Sequence, residues 1–427
     1  MRDTDDFIKD VQDSLADEVN SIDIDEPRES YDDGNGSGDI PRDYRMTDSK
    51  KDNKKKKKKH TGFKVFLGII FAITLVAAAL VFTPQGRKVL ISAYMKYAYT
   101  VINKAKPAGG NEKTADKPTL PTADPSRITS NIDVNSMSPT FQNAKHQDGV
   151  FNILLLGVEA IGSTEYAGHT DSIMILTINT NTKELGLTSL MRDTYVSVPG
   201  EQYYDGRING VYRQGGISLL YETIAENYDI RLDGCALVGF DAFRKVIDAM
   251  GGINIKLTDE EARYLNTTNY ISKKRYRTMK PGWNHMNGYQ ALGFARIRKI
   301  PTLGGTENDE GRTLRHRRVM RALYSRLKKD PFKAVGAMNA ILPLVETDVT
   351  ENNAGEYLAE IVELALAGKS VDQLRLPEGS PDGTQYQYAT INGAAVVQVV
   401  DWDSLRMDLA NFIFAPHESG NFQQTKE

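Results

Sequence analysis

From about residue 150 onwards, apolar residues fall into short runs that polar turns separate. The runs at 151–158, 172–178 and 185–191 are almost continuously apolar, which is typical of strands buried on both faces. The polar turn at 181–184 predicts that the second and third runs pair as a hairpin. Further along, spacings of three and four residues predict helices at 216–228, 241–250, 311–329, 332–343, 353–367 and 402–413, with strands at 253–257 and 394–400.

Strands mixed with helices over roughly 270 residues predict one layered α/β/α domain with a central mixed sheet. We place it at 148–416, with a short C-terminal tail at 417–427. Asp241 is predicted to cap the second of the helices. The composition, 40% hydrophobic and 26% charged, is ordinary for a globular protein. The single cysteine, Cys235, excludes an intrachain disulfide, so the fold does not rest on one.

An uncharged apolar run precedes this domain at 65–82. Its 18 residues would span roughly 27 Å as a helix, about the thickness of a bilayer core. A cleaved signal peptide fits less well, because such peptides lie at the extreme N-terminus and have a shorter apolar region. The sequence therefore predicts a transmembrane helix at 61–84. It is followed at 85–147 by a juxtamembrane helix, with Val89, Leu90, Tyr94, Tyr97, Val101 and Ile102 on its apolar face, and a flexible spacer.

The residues before the apolar run are polar and unevenly charged. Residues 1–50 contain 16 acidic and 6 basic residues, and 54–59 are all lysine. Such a composition predicts a disordered tail at 1–60. Lysines beside an apolar span favour a cytoplasmic tail, which places the folded domain outside the cell membrane. The acidic tail and the lack of a helix-turn-helix pattern argue against a nucleic-acid partner and a role in transcription.

Charged residues follow the predicted strands at points where they could meet. Glu159 and Asp171 flank the first two strands, and hard oxygen ligands of this kind suit Mg²⁺. Arg192 and Asp193 follow the third strand, and a guanidinium group offers a planar fork to phosphate oxygens. Taken singly, these residues would more often be loop acids or a local ion pair.

More arginines follow near the start of the helix at 311. Arg296 and Arg298 would point the same way in an extended segment, and Arg312 and Arg315 share a helix face close to Asp309. A solvated basic surface is the alternative interpretation. The sequence contains no Ser-His-Asp arrangement, HExxH, CxxC or P-loop motif. Acids combined with arginines therefore favour phosphoryl chemistry, which depends on positioning and charge neutralisation.

Seven ordered motifs resemble the LytR-CpsA-Psr family over about 150–325. They are NILLLGVE, HTDSIMIL, SLMRDTYVSVPG, RINGVY with RQGG, VGFDAFRKVIDAMGGINI, PGWNHMNGYQALGFARIRK and NDEGRTLRHRRVMRAL. Four residues differ from what is usual in the family: Glu159 replaces an aspartate, His169 an arginine, Met191 a proline and His316 a glutamine. The replacement at Glu159 bears on metal binding, and the replacement at His169 bears on substrate binding.

The resemblance implies a phosphotransferase that moves an anionic glycopolymer, such as teichoic acid or capsule, from a polyprenyl pyrophosphate carrier to peptidoglycan. It implies that Glu159 and Asp171 bind Mg²⁺ or Mn²⁺. It also implies that an apolar tunnel takes the lipid. Arg192, Arg296 and Arg298 would contact the pyrophosphate, supported by Arg312 and Arg315. Asn209 and Gln290 lie in matched segments and would also belong to the substrate-binding set, with no particular role assigned. Asp193 and Asp309 are candidate bases on position alone. A pyrophosphatase that uses water and a non-catalytic polymer-binding scaffold remain alternatives.

Overall fold

The computed structural model describes residues 81–105, 137–158, 169–200, 206–305, 308–379 and 385–417. Outside these ranges lie the predicted cytoplasmic tail, residues 61–80 of the predicted span, residues 106–136 of the predicted spacer, Glu159 and nearly all of the C-terminal tail. Within them, no helix is both long enough and apolar enough to cross a membrane.

A six-stranded sheet forms the centre of the domain. The strands of the described residues are β1 Val150–Val158, β2 Thr170–Asn179, β3 Glu184–Leu190, β4 Gly234–Gly239, β5 Ile253–Leu257, β6 Gly282–Met286, β7 Glu346–Thr347, β8 Val371–Leu376, β9 Tyr386–Ile391 and β10 Ala394–Val399. The strand order in the central sheet is β7-β4-β1-β2-β3-β8. β1 pairs antiparallel with β2 and parallel with β4, while β3 pairs antiparallel with β2 and parallel with β8, so the sheet is mixed. The predicted mixed sheet and the predicted hairpin of its second and third strands are confirmed.

Helices cover both faces of this sheet. They are α1 Pro84–Ala105, α2 Pro139–Asn143, α3 Ile208–Tyr228, α4 Phe240–Ala249, α5 Asp259–Thr267, α6 Gly288–Ala295, α7 Asn308–Lys329, α8 Pro331–Gly336, α9 Met338–Ile341, α10 Glu351–Leu366 and α11 Trp402–Phe414. α3 and α11 pack on one face, and α7 and α10 pack on the other. The layering arises because strand side chains alternate in direction: Leu154 and Leu156 enter the core of the first face, and Ile153 enters that of the second.

Two small hairpins extend the domain. β5 pairs with β6, and β9 pairs with β10, both antiparallel. The β5–β6 hairpin carries α5 and α6, whose first turns are fixed by capping boxes. In α6, Asn287 and Gln290 cap each other, and the helix ends at Arg296. The C-terminal end of α6 therefore fixes the position of Arg296, one of the predicted site arginines.

Three local predictions are wrong. Asp241 does not cap α4, because the cap is Gly239 and Asp241 lies inside the first turn, where it pairs with Arg244. The segment at 332–343 forms two short helices and a 3₁₀ turn rather than one helix. The helix predicted to start at Gly216 begins at Ile208 and continues across a kink at Gly216, whose φ of +71° suits glycine.

The C-terminal end of α11 is held by His417, which should make the domain's stability depend on pH. His417 Nδ1 lies 2.7 Å from Asp372 Oδ2, and its Nε2 lies 2.7 Å from the carbonyl oxygen of Phe412. Burial alone would lower the pKa of His417, but these hydrogen bonds and the charge of Glu184 raise it overall.

Because the folded-state pKa of His417 is raised, its contribution is complete below the unfolded-state value of about 6.5 and is lost as pH rises through the folded-state value. We expect His417→Ala to lower the free energy of unfolding more at pH 6 than at pH 8.5, as measured by urea unfolding. An equal loss at both values would contradict this assignment.

Candidate functional site

A cavity of about 850 Å³ lies between the sheet and helices α4, α6 and α7, which is near the upper end for ligand sites. Much of its wall is apolar and includes Leu156, Met174, Val238, Phe243, Leu292 and Ile341. Its charged and imidazole side chains are His169, Asp171, Arg192, Arg207, Arg296, Arg298, Arg312 and His316. Five arginines against one carboxylate on the described wall favour a ligand that combines an anion with an apolar chain.

Arg192 is the centre of the charged end. β3 ends at Leu190, and the turn that follows is closed by a 2.6 Å hydrogen bond from Thr194 Oγ1 to the carbonyl oxygen of Met191. Arg192 donates from Nη1 to Asp171 Oδ1 at 2.6 Å and from Nε to Asp309 Oδ1 at 3.1 Å. Burial alone would lower the pKa of Arg192, but the surrounding carboxylates raise it overall. Arg192 therefore carries its charge into the cavity at any working pH.

Arg312 and Arg298 join the same cluster from α7 and from the segment before it. Arg312 Nη2 lies 2.5 Å from Asp309 Oδ1, and its Nη1 lies 3.4 Å from Asp171 Oδ1. Burial lowers the pKa of Arg312, and the neighbouring arginines lower it further. Arg298 Nη2 lies 3.7 Å from Asp309 Oδ1, and its side chain is 45% exposed. The cluster thus has a buried part and a part that an entering anion can reach.

Arg296 reaches the cavity by a different route from the predicted one. It is the C-cap of α6, with φ −87° and ψ −9°, so the segment is not extended at this residue. Its guanidinium lies over the Phe240 ring, 4.8 Å from the centroid. Arg296 and Arg298 still line one cavity, but the end of α6 brings them there rather than strand alternation.

The two candidate bases differ in position. Asp309 Oδ1 contacts three cavity arginines, and its Oδ2 is buried with no hydrogen-bond partner among the described residues. Asp309 also lines a small cavity of about 10 Å³ together with Asp171 and His316. Asp193 lies 3.5 Å from Arg192 Nε and 3.8 Å from Arg207 Nη1, and burial raises its pKa. Neither aspartate forms part of the large cavity's described wall.

Arg315, predicted to bind substrate, lies in the core and not on the described cavity wall. Its side chain is fully buried, with Nε 2.9 Å from Glu261 Oε1. Its two terminal nitrogens donate to the carbonyl oxygens of Ile297 and Ile300 at 3.1 and 3.0 Å. Arg315 therefore fixes the backbone of the segment that carries Arg298, and no group on it faces the cavity.

Gln290 and Asn209 also hold structure in place rather than facing the cavity. Gln290 Oε1 accepts from Asn287 N at 3.0 Å and so caps α6, and Gln290 is not among the residues of the described cavity wall, where its predicted role would place it. Asn209 is 2% exposed, and its backbone amide donates to the carbonyl oxygen of Arg192 at 3.1 Å. Its carbonyl oxygen accepts from Thr170 Oγ1 at 3.2 Å. Asn209 thus connects the Arg192 turn to the start of β2 beside Asp171.

Sequence reasoning missed Arg207 and did not assign His316. Arg207 is the first residue of the RIN motif, which was the available signal, and it lines the cavity. His316 Nε2 lies 3.1 Å from the carbonyl oxygen of Ala295, so this nitrogen carries the proton. Burial, together with the charge of Arg312, lowers the pKa of His316 to about 4. A neutral imidazole therefore lies at the position where the glutamine of the family motif is expected.

The predicted metal site can be tested only in part, because Glu159 lies outside the described ranges. Asp171 offers hard carboxylate oxygens in the cavity wall beside the arginines, and its side chain is 24% exposed. This chemistry fits Mg²⁺, which takes few protein ligands and completes its shell with water and substrate phosphates. In the parts of the chain that the structure describes, no group of three or more carboxylate, imidazole or thiol side chains could hold a metal ion.

The fold and the cavity define an α/β protein whose mixed sheet ends at an arginine cluster above an apolar chamber. The chain belongs to the LytR-CpsA-Psr family, whose model, LytR_cpsA_psr, matches residues 99–403. This confirms the resemblance that the sequence motifs indicated.

Two curated relatives and one solved structure are similar to the chain. The chain is 30% identical over 178 residues to the Bacillus subtilis polyisoprenyl-teichoic acid–peptidoglycan teichoic acid transferase TagV, covering 42% of this chain and 44% of TagV. It is 27% identical over 261 residues to biofilm regulatory protein A of Streptococcus mutans, covering 56% and 60% of the two chains. It therefore spans about half the length of these relatives. The crystal structure of Bacillus subtilis ywtF has the same fold, with a TM-score of 0.50, 20% identity and coverage of 66% of this chain and 99% of ywtF.

Proposed function

We propose that this protein transfers an anionic glycopolymer from a polyprenyl pyrophosphate carrier to a peptidoglycan sugar hydroxyl and releases polyprenyl phosphate. The observation that carries the proposal is the joining of five arginines to an apolar chamber in a single cavity. A diphosphate that carries a long hydrocarbon chain has this combination of charge and apolar surface. Family membership and the transferase name of TagV support the same reaction.

The arginines position the pyrophosphate and balance its charge. Arg298, the most exposed of those that pair with Asp309, meets the incoming anion, and Arg192 and Arg312 hold it from within. A guanidinium fork matches two phosphate oxygens at once. Before the substrate enters, Asp171 and Asp309 hold these side chains in place, so the protein need not reorganise during reaction.

The chemical step exchanges one phosphorus–oxygen bond for another. The acceptor hydroxyl oxygen attacks the phosphorus that bears the sugar, and the bridging bond to the second phosphate breaks. Polyprenyl phosphate leaves with the electron pair. We assign the hydroxyl proton to Asp309 in preference to Asp193, because Asp309 contacts three arginines of the cavity wall and has an unpartnered oxygen.

The metal and the location of the protein are also parts of the proposal. Asp171, together with the predicted ligand Glu159, holds Mg²⁺ or Mn²⁺. When bound, the ion adds positive charge at the pyrophosphate. The domain lies on the outer side of the cell membrane, where lipid-linked polymers and peptidoglycan meet and nucleic acid is not a partner.

Narrowing the apolar chamber tests the lipid part of the proposal. Val238 lies on β4 in the cavity wall, and we expect Val238→Trp to fill part of the space that a polyprenyl chain needs. Affinity for a long-chain polyprenyl pyrophosphate should fall about tenfold, a loss of about 1.4 kcal/mol. Affinity for inorganic pyrophosphate should not change. Isothermal titration measures both.

The matched control is Val400→Trp, because Val400 is 53% exposed and lies outside the cavity wall. It should bind both ligands as the parent chain does. Unchanged affinity of Val238→Trp for the long-chain lipid would count against the chamber as its site.

A further inference from the structure

Helix α1 is apolar on two opposite sides. At about 100° per residue, Ile91, Met95 and Ala98 share one side. They are 7%, 2% and 1% exposed and pack into the domain. Val89 and Tyr97 lie on the opposite side and are 60% and 65% exposed. Leu90, 40% exposed, and Ala93, also exposed, belong to the same outer side, and the exposed Lys96 lies at its edge beside Val89.

This arrangement departs from the predicted juxtamembrane helix. Val89, Leu90 and Tyr97 were expected to share its apolar face with Tyr94. Instead Ile91 and Met95 form the packed side, while these three residues form a second apolar side. A helix that is apolar on both sides indicates a second apolar partner beyond the domain.

The inner side of α1 is fixed firmly to α10. Arg87 donates from Nε and Nη2 to the two carboxylate oxygens of Glu363, each at 2.7 Å. Lys88 pairs with Glu360 one turn away. At Gly355 the helices approach so closely that an added Cβ would lie 3.1 Å from Ser92 Cα. α1 therefore moves with the domain as one body rather than as a loose tether.

The inner side of α1 also lies next to the apolar end of the cavity. Ile91 and Met95 share a core cluster with Ile341, and Ile341 lines the cavity. Val246 and Leu323 likewise pack against this cluster and line the cavity. The core cluster that contains the inner side of α1 thus also contributes to the wall of the chamber to which we assign the lipid chain.

The chain that enters α1 identifies the second partner. The uncharged run at 65–82 ends immediately before Thr83, and α1 begins at Pro84. Val81 and Phe82, at the end of this run, are 39% and 65% exposed. An aromatic side chain with a polar tip, as at Tyr97, suits the boundary between lipid and water.

We propose that the outer face of α1, defined by Val89, Leu90, Ala93 and Tyr97, lies on the surface of the lipid bilayer. The helix then holds the apolar end of the cavity beside the membrane, so that a polyprenyl chain passes into the chamber without crossing water. The contact with lipid does not depend on the reaction, whereas the delivery of the polyprenyl chain rests on the proposed function.

Fluorescence quenching by lipid tests the contact directly in the full chain. Cys235, the single cysteine, is buried, so a cysteine introduced at Tyr97 can be labelled selectively. With the protein reconstituted in phosphatidylcholine–phosphatidylglycerol vesicles, acyl-chain nitroxide lipids should quench the label at Tyr97→Cys several-fold more than one at Met407→Cys. Met407 is the matched control, because it is 59% exposed on α11.

Equal quenching at the two positions would overturn the proposal. So would self-quenching at position 97 that rises with protein density, because that outcome assigns the face to a second copy of the chain. Neither lipid quenching nor self-quenching of the label depends on catalytic activity.

A second measurement tests delivery. Leu90→Glu with Tyr97→Glu should lower transfer from a long-chain carrier in vesicles several-fold and leave transfer from a water-soluble short-chain pyrophosphate unchanged. Met407→Glu should affect neither. A loss with both substrates, or with neither, overturns the delivery role. If the parent chain transfers polymer from neither carrier, the proposed function fails while the quenching result stands.

Discussion

Replacing Arg192 by alanine should reduce polymer transfer by at least about 10²–10³-fold, the usual loss when one preorganised donor to a developing charge is removed. Arg192 contacts Asp171 at 2.6 Å and Asp309 at 3.1 Å, and it lines the cavity. Its removal takes away a guanidinium group that can bind two phosphate oxygens, and it leaves the negative charges of Asp171 and Asp309 less neutralised. A stability loss of about 1–3 kcal/mol should accompany the change, because buried oxygens lose their partner, and the chain should still fold.

Arg406→Ala is the control for the loss of a structural arginine. Arg406 Nε donates to the carbonyl oxygen of Asn227 at 2.8 Å, and Arg406 lies outside the cavity wall. Its removal should lower stability and leave transfer intact. Arg192→Lys keeps the positive charge but loses the planar guanidinium group, so its transfer rate should lie between those of the parent chain and Arg192→Ala. Transfer at the parent rate by a folded Arg192→Ala chain would remove Arg192 from the site.

Replacing Glu261 by alanine should lower the free energy of unfolding by about 3–5 kcal/mol, because it leaves buried cations without a counter-charge. Glu261 is fully buried, with Oε1 2.9 Å from Arg315 and 3.7 Å from Arg318. Its Oε2 accepts from Thr258 N at 3.1 Å and completes the cap of α5. Urea unfolding of the parent and variant chains measures the difference.

Asp259→Ala is the matched control, since Asp259 lies in the same first turn of α5 and is exposed. Its effect should stay within about 0.5 kcal/mol. Arg315 also holds the carbonyl oxygens of Ile297 and Ile300. Glu261→Ala should therefore weaken pyrophosphate binding by Arg298 at denaturant concentrations where the chain is still folded. A Glu261→Ala chain as stable as the parent would contradict the role assigned to this buried pair.

The central strands could be predicted because they are buried on both faces and read as continuous apolar runs. β1, β2 and β3 appear within two residues of their predicted ends. Five strands were not predicted: β4, β6, β7, β8 and β9. The run VDQLRL of β8 alternates with polar residues, and β4 begins with Gly234 and ends with Gly239. Such short strands gain their stability from neighbours in the sheet, which local sequence does not reveal.

The site could be predicted as a set of residue types more readily than as an arrangement. Arg192, Arg296, Arg298 and Arg312 do line one cavity. Arg315 has the same charge and lies one helical turn from Arg312, yet it faces Glu261 inside the core. Sequence spacing places residues on a helix face but does not show which neighbour covers that face. The buried partner on α5 is 54 residues away along the chain.

Product analysis tests most directly whether polymer passes from a polyprenyl pyrophosphate to a sugar hydroxyl. The purified full chain, reconstituted in vesicles, would receive lipid-linked polymer carrying a radiolabelled phosphate, peptidoglycan and Mg²⁺. We expect a covalent polymer–glycan product and polyprenyl phosphate in equal amounts, with neither formed by Arg192→Ala. Released polymer without attachment to glycan would identify a pyrophosphatase that uses water. Binding of the polymer with no polyprenyl phosphate formed would identify a scaffold, and either result would contradict the proposed transfer.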